Sequence, residues 1–207
     1  MKKLTMMFIM IMLVCLSFAS SAFAERVAVI LDTPLFFAND KANQALIDKK
    51  MSALFAQPRF ELLPTKESVI KTNLWRQEHG LDSVVSTWGK GEVSYEWALK
   101  QDEIADLAKS MNCDYALVLR TTSNATESYG INGNVKNATV IVDTKVFNVA
   151  KNQYTFMDQY ISEGTSKKGY IPIVPSFAVG GRPNHKRAFV NAMKKGLEKL
   201  KIDTNNI

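Results

Sequence analysis

The residues from which this chain could build a reactive centre are two histidines, a cysteine at position 113 and a scatter of serines and acids. His79 and His185 lie far apart, each beside loop-forming residues. No H-x-x-x-H, C-x-x-C or EF-hand spacing occurs, so no metal site is expected. There is no G-x-S-x-G elbow to expose a serine nucleophile. Nucleotide binding would want a glycine-rich turn after the first apolar run, because only glycine lets the backbone close around a pyrophosphate. That place holds Asp32-Thr33-Pro34-Leu35-Phe36-Phe37, without a glycine, and Gly89-Lys90-Gly91 is too short for a P-loop. No catalytic, cofactor-binding or metal-ligating residues are assigned, and the chain is not expected to be an enzyme. Cys113 falls between a helical run and an apolar one, which suits a buried small hydrophobe.

Binding chemistry has better material. The segment 164–183 is long, apolar and flanked by positive charge; Tyr170, Ile171, Ile173, Val174, Phe177, Val179 and Arg182 are its candidate contact residues. A loop of that length is usually functional when its composition is too apolar for simple disorder. A second candidate is aromatic: Trp75, Trp88, Tyr95 and Trp97 could line a stacking pocket for a small ligand or glycan. The third is the basic C-terminal helix with Lys194, Lys195, Lys199 and Lys201, which could face an anionic envelope surface.

The first 24 residues say where such chemistry would take place. Lys2 and Lys3 form a positive n-region, residues 4–18 are apolar and uncharged, and Ala22-Phe23-Ala24 supplies a cleavage box. This reads as a secretory signal peptide, leaving residues 25–207 as one soluble α/β domain, periplasmic, cell-surface or extracellular. Val14 before Cys15 argues against a lipid anchor, which needs a small residue there. The formal net charge of +6 falls to +4 when Lys2 and Lys3 leave. Residues 164–207 hold nine Lys/Arg and two Asp/Glu, so the basic excess belongs to the C-terminal quarter. Nucleic acid is not an expected partner at so modest a charge.

The elements follow from periodicity. Residues 26–31 are a β-branched run of the buried-strand kind. A helix opens at Asn39 or Asp40 with Ile47, Met51, Leu54 and Phe55 on one face. A short strand at 60–63 and a helix over 65–77 come next, the latter with Val69, Ile70 and Leu74 as its apolar side. Residues 80–100 are irregular. Gln101 to Met111 has helical spacing, Asn112 can close it in a left-handed conformation, and residues 115–119 form a central strand. Two long strands over 138–149 and 153–163 pair as a hairpin, with Val140, Val142, Thr144 and Val146 on one face. The last helix, about 184–201, carries Phe189, Met193, Leu197 and Leu200 on one stripe. The order β-α-β-α-α-β-β-β-α predicts a mixed sheet of about five strands with helices on both faces.

This pattern resembles a group of bacterial envelope proteins with the fold of the TolB amino-terminal domain, shared by CsgG-like and LpoB-like proteins. The residues that carry the resemblance are the opening strand Val27-Ala28-Val29-Ile30-Leu31 and the short strand Phe60-Glu61-Leu62-Leu63. The helix from Ile104 to Met111, running through Asn112-Cys113-Asp114 into Tyr115-Ala116-Leu117-Val118-Leu119, looks most like the group's pattern. Asn112 stands where the group usually has glycine. The resemblance implies a non-catalytic module that binds or assembles with envelope proteins or with its own subunits. A soluble periplasmic receptor for a small ligand or glycan is the alternative expectation.

Overall fold

The computed structural model describes residues 24–86, 93–130, 133–167 and 184–207, with backbone alone at 129–130 and 133–134. Residues 1–23 of the expected signal peptide, Trp88 and the candidate contact residues from Tyr170 to Arg182 lie outside the described residues.

Strand β1 (Glu25–Asp32) is followed by two helices, α1 (Leu35–Ala38) and α2 (Lys41–Leu54), then β2 (Phe60–Leu62) and α3 (Thr65–Glu78). A small hairpin, β3 (Val84–Ser86) and β4 (Val93–Tyr95), precedes α4 (Gln101–Ser110). Three long strands, β5 (Tyr115–Gly130), β6 (Gly133–Asn148) and β7 (Gln153–Lys167), lead to the final helix α5 (His185–Lys199). The main sheet has the order β2-β1-β5-β6-β7; β2, β1 and β5 are parallel, and β5, β6 and β7 are antiparallel. This is the mixed five-stranded α/β sheet that the sequence predicts.

Alternation along the strands divides the core between the two faces of the sheet. Val27, Val29 and Leu31 of β1 join Leu117 and Leu119 of β5 on the side of α2 and α5, while Ala28, Ile30, Ala116 and Val118 meet α3 and α4. Val140, Val142, Thr144 and Val146 of β6 are all fully buried, as their period of two requires. Phe189, Met193, Leu197 and Leu200 of α5 are buried too, and Phe189 packs edge-to-face on Phe36 and Phe37 at 5.4 and 5.6 Å. Burying each such side chain is worth about 1.5–3 kcal/mol. Local chemistry sets the ends of the helices. Asp40 accepts from the Asn43 amide at 2.9 Å and Asn184 from the Arg187 amide at 2.7 Å, each satisfying a first-turn donor. Asn112 closes α4 at φ 53°.

Three findings go beyond the sequence reading. Strand β5 extends eleven residues past Leu119, so a second long hairpin joins β5 to β6. The irregular stretch contains the β3–β4 hairpin. Helix α3 is turned differently from its expected apolar side: it buries Thr65, Ser68, Val69, Thr72, Trp75 and Arg76, while Ile70 and Leu74 are exposed. At about 100° per residue, a rotation that brings Arg76 inward puts Ile70 and Leu74 on the far side of the helix.

Cys113 is buried, and burial pushes its thiol up from an ordinary 9 to about 11, with the Arg26 charge opposing. The unfolded thiol therefore ionises at lower pH than the folded one. The sign follows: this group's contribution to stability is intact below about pH 9 and is lost as pH rises towards 11. A thiol reagent at pH 8 should leave Cys113 unmodified in the native chain and label it fully in denaturant. Rapid native labelling would show the site to be open.

Candidate functional site

The parallel half of the sheet has one natural position for a site. From β1 the chain leaves through α1 and α2 to β2; from β2 it returns over the opposite face, through α3, the β3–β4 hairpin and α4, to β5 on the other side of β1. Connections that diverge in this way open a crevice beyond the carboxyl ends of the strands. Asp32 ends β1 and is the register partner of Arg120 in β5. A crevice of about 400 Å³ lies there, with Thr33 and Pro34 at the end of β1, Ser94, Tyr95 and Glu96 along β4, and Arg120, Thr121, Thr122 and Ser123 along β5.

Its base is a charged cluster. Arg120 Nε donates to Asp32 Oδ2 at 2.9 Å, and Arg76 Nη2 reaches Asp32 Oδ1 at 3.4 Å. Arg76 is only 1% exposed. Its Nη1 donates to the Trp97 carbonyl at 2.9 Å and, more weakly, to that of Leu81 at 3.4 Å. Its guanidinium lies 4.2 Å from the Tyr95 ring centre. Burial lowers the pKa of Arg76, and the Asp32 charge opposes that shift. Tyr95 donates its hydroxyl to Asn73 Oδ1 at 2.5 Å, and burial raises its pKa. Arg120 Nη2 donates to the Leu99 carbonyl at 2.9 Å. The two arginines thus tie α3, β5 and the segment between β4 and α4 to the end of β1.

Both oxygens of Asp32 are engaged by guanidinium groups; among the described residues no histidine lines the crevice, and Glu96 is its other carboxylate. Ser68-Val69-Ile70-Lys71 spells S-x-x-K, but Ser68 is fully buried and does not line the crevice, while Lys71 pairs with Glu67 at 2.9 Å. Among the described residues no three His, Cys, Asp or Glu are grouped to hold a metal ion.

Of the aromatic candidates, Tyr95 lines the crevice. Trp75 is buried in the α3–α4 core and stacks on His79 at 4.0 Å. Trp97 is 60% exposed and meets the cluster through its carbonyl. The sequence reading did not single out Asp32, Arg76 or Arg120. The signal was there for two of them: an acid closing the first strand and an arginine closing Tyr115-Ala116-Leu117-Val118-Leu119, at matching ends of apolar runs.

No protein-family model matches the chain, and no curated protein matches it either. Solved structures do. The LpoB C-terminal domain from Salmonella enterica is 12% identical, over 67% of this chain and 82% of that one, with a TM-score of 0.33. Lipoprotein GNA1162 from Neisseria meningitidis is 12% identical over 69% and 84%, with a TM-score of 0.41. The hypothetical protein CT253 from Chlamydia trachomatis is 10% identical over 84% and 96%, with a TM-score of 0.32. The chain is similar to LpoB-like envelope proteins at low sequence identity.

A second surface adjoins the crevice. Helix α3 packs on β1 and α4 on β5, whereas α5 covers β6 and β7 from the opposite face. On the α3–α4 side of β7, Met157 is 66% exposed and Ile161 57%. Thr122 of the crevice shares a cross-strand row with Ile141 and Ile161, and Arg120 shares one with Asp143 and Gln159. The outer edge of β7 is partly closed by side chains. Lys199 Nζ donates to the Ile161 carbonyl at 3.2 Å, Asn191 Nδ2 to the Thr165 carbonyl at 2.8 Å, and the Gln159 amide to Asp158 Oδ1 at 2.8 Å. Such bonds blunt an edge that would otherwise template strand pairing.

Proposed function

We propose that this chain is an exported, envelope-associated module that acts by binding other proteins, and that its contact surface is the face of β6 and β7 that no described helix covers. The observation that carries this reading is the exposed pair Met157 and Ile161 on a strand paired along its length with β6. Large apolar side chains grouped on an ordered surface mark interaction sites, because exposing them to water is unfavourable. The leader read at residues 1–24 supports export, and the basic helix α5 adds attraction to an anionic envelope surface. Gly164 to Lys167 belong to β7 rather than to the loop expected over 164–183, because they pair with residues 135–138 of β6; the remainder, 168–183, is proposed as a further contact region on its composition alone. Partners are envelope proteins or further copies of the chain.

The test is recovery of partners from envelope extracts after cross-linking, with the wild-type chain and with a Met157→Ser/Ile161→Ser double variant. Both side chains are solvent-facing, so stability should change by no more than about 0.5 kcal/mol per site. Recovery of the wild-type partner, or of the homo-oligomer, should fall at least tenfold. Unchanged recovery at unchanged stability would remove this face from the account.

A further inference from the structure

The two sheets of the molecule end on opposite sides of one gap. Strand β1 stops at Asp32, opposite Arg120, but β5 continues to Gly130. Beyond Arg120, among the described residues, no strand lies on the β1 side of β5, because its other neighbour is β6. Across the gap stands β4, whose only described strand partner is β3. Ser94, Tyr95 and Glu96 form one wall and residues 120–123 the other. Two strand edges therefore face the same crevice with no strand between them.

Unpaired strand edges are rows of main-chain donors and acceptors, and they are satisfied by another extended backbone. The side chains around them are also short of partners. Thr33, 4% exposed, and Thr121 have buried Oγ1 atoms with no hydrogen-bond partner among the described residues. Arg120 Nη1 has no partner among the described residues, while its Nε and Nη2 are engaged.

We infer that this crevice receives an extended peptide segment of a partner protein, which pairs with the free edge of β5 in the line where β1 stops. The three crevice residues of β5 beyond Arg120, 121–123, at roughly 3.3 Å each, give room for about three residues of the incoming segment. Arg120 Nη1 takes one of its carbonyl or carboxylate oxygens. This rests on the reading that the chain acts through protein contacts, and it supplies a mode of recognition; the shared Thr122–Ile141–Ile161 row joins the crevice to the exposed sheet face.

The probe is an immobilised library of random nonapeptides, with N-acetylglucosamine oligomers as the competing arm. The full exported chain should retain a subset of peptides. Methylating their backbone amides one at a time should weaken binding at least tenfold at alternate positions only, the signature of strand pairing. Hydrogen exchange should slow at 94–96 and 121–123 on binding. Ser94→Tyr and Ser123→Tyr, which fill the crevice from either wall, should each weaken binding at least tenfold with unchanged melting temperature, whereas Lys109→Ser on the exposed side of α4 should not. Failure to retain any peptide, insensitivity to amide methylation, protection confined to other strands, or displacement of peptide by the sugar oligomers would each overturn the inference. If the Met157/Ile161 pair still governs partner recovery in that event, the crevice alone is rejected and the protein-contact reading stands.

Discussion

Replacing Gly164 with alanine is expected to cost about 3 kcal/mol or more, the upper part of the range for overpacking a fixed core. A Cβ at Gly164 would sit 2.1 Å from the Ala188 carbonyl oxygen and 2.3 Å from the Ala192 nitrogen, both backbone atoms of α5. No rotamer change relieves a clash with backbone, so the helix must lift from β7. Phe189 and Met193, which α5 buries against the sheet beside those alanines, would lose packing with it. Gly196→Ala on α5 makes the contrast. Its Cβ would come 3.1 Å from Tyr160 Cε2, a side-chain atom. A small ring shift there competes with a helix-propensity gain of about 1 kcal/mol, so the net change should lie within about 1 kcal/mol of zero. Denaturant unfolding of both variants checks the pair. A Gly164→Ala protein within 1 kcal/mol of wild type would mean that α5 does not lie this close to the sheet.

Arg76→Ala should be comparably damaging, at about 3–5 kcal/mol, because removing one member of a buried ion pair leaves the other groups uncompensated. Asp32 would keep Arg120 but lose Arg76, the carbonyls of Leu81 and Trp97 would lose their donor, and Tyr95 would lose the cation beside its ring. Arg76→Lys should recover only part of the loss, since an ammonium cannot reproduce the planar fork that reaches Asp32 and Trp97 together. Arg120 is 32% exposed, so Arg120→Ala should cost much less, about 1 kcal/mol. Equal losses for the two alanine variants would contradict the view that Arg76 is the buried tie of the cluster.

The parts of the fold that were legible in sequence are those whose residues decide their environment locally. β1 carries an unbroken apolar run, β6 and α5 carry strict periodicity, and Asp40, Asn112 and Asn184 mark helix ends by their own hydrogen-bonding and backbone preferences. Helix α3 was misjudged because its rotation depends on Asp32, 44 residues away, and a lone arginine in a helical run reads as a solvated charge. The extension of β5 was missed because residues 120–128 alternate polar residues on both faces, with β6 rather than a hydrophobic face to hold them. The crevice was not legible for a related reason. It is made where β1 ends and β5 does not, which is a property of strand lengths in a sheet rather than of any motif. Tyr95 was picked out by its aromatic neighbours, and it reaches the crevice through Asn73 and Arg76 on α3.

The central claim is that this protein works through the β6–β7 face that carries Met157 and Ile161. Its most direct test places a photo-crosslinking side chain at position 157, 161 or 109 in turn, in producing cells; Lys109 serves as an exposed control on α4. Strong covalent adducts from 157 and 161, and background from 109, are the predicted result. Equal yields at all three positions, or adducts from 109 alone, would contradict it.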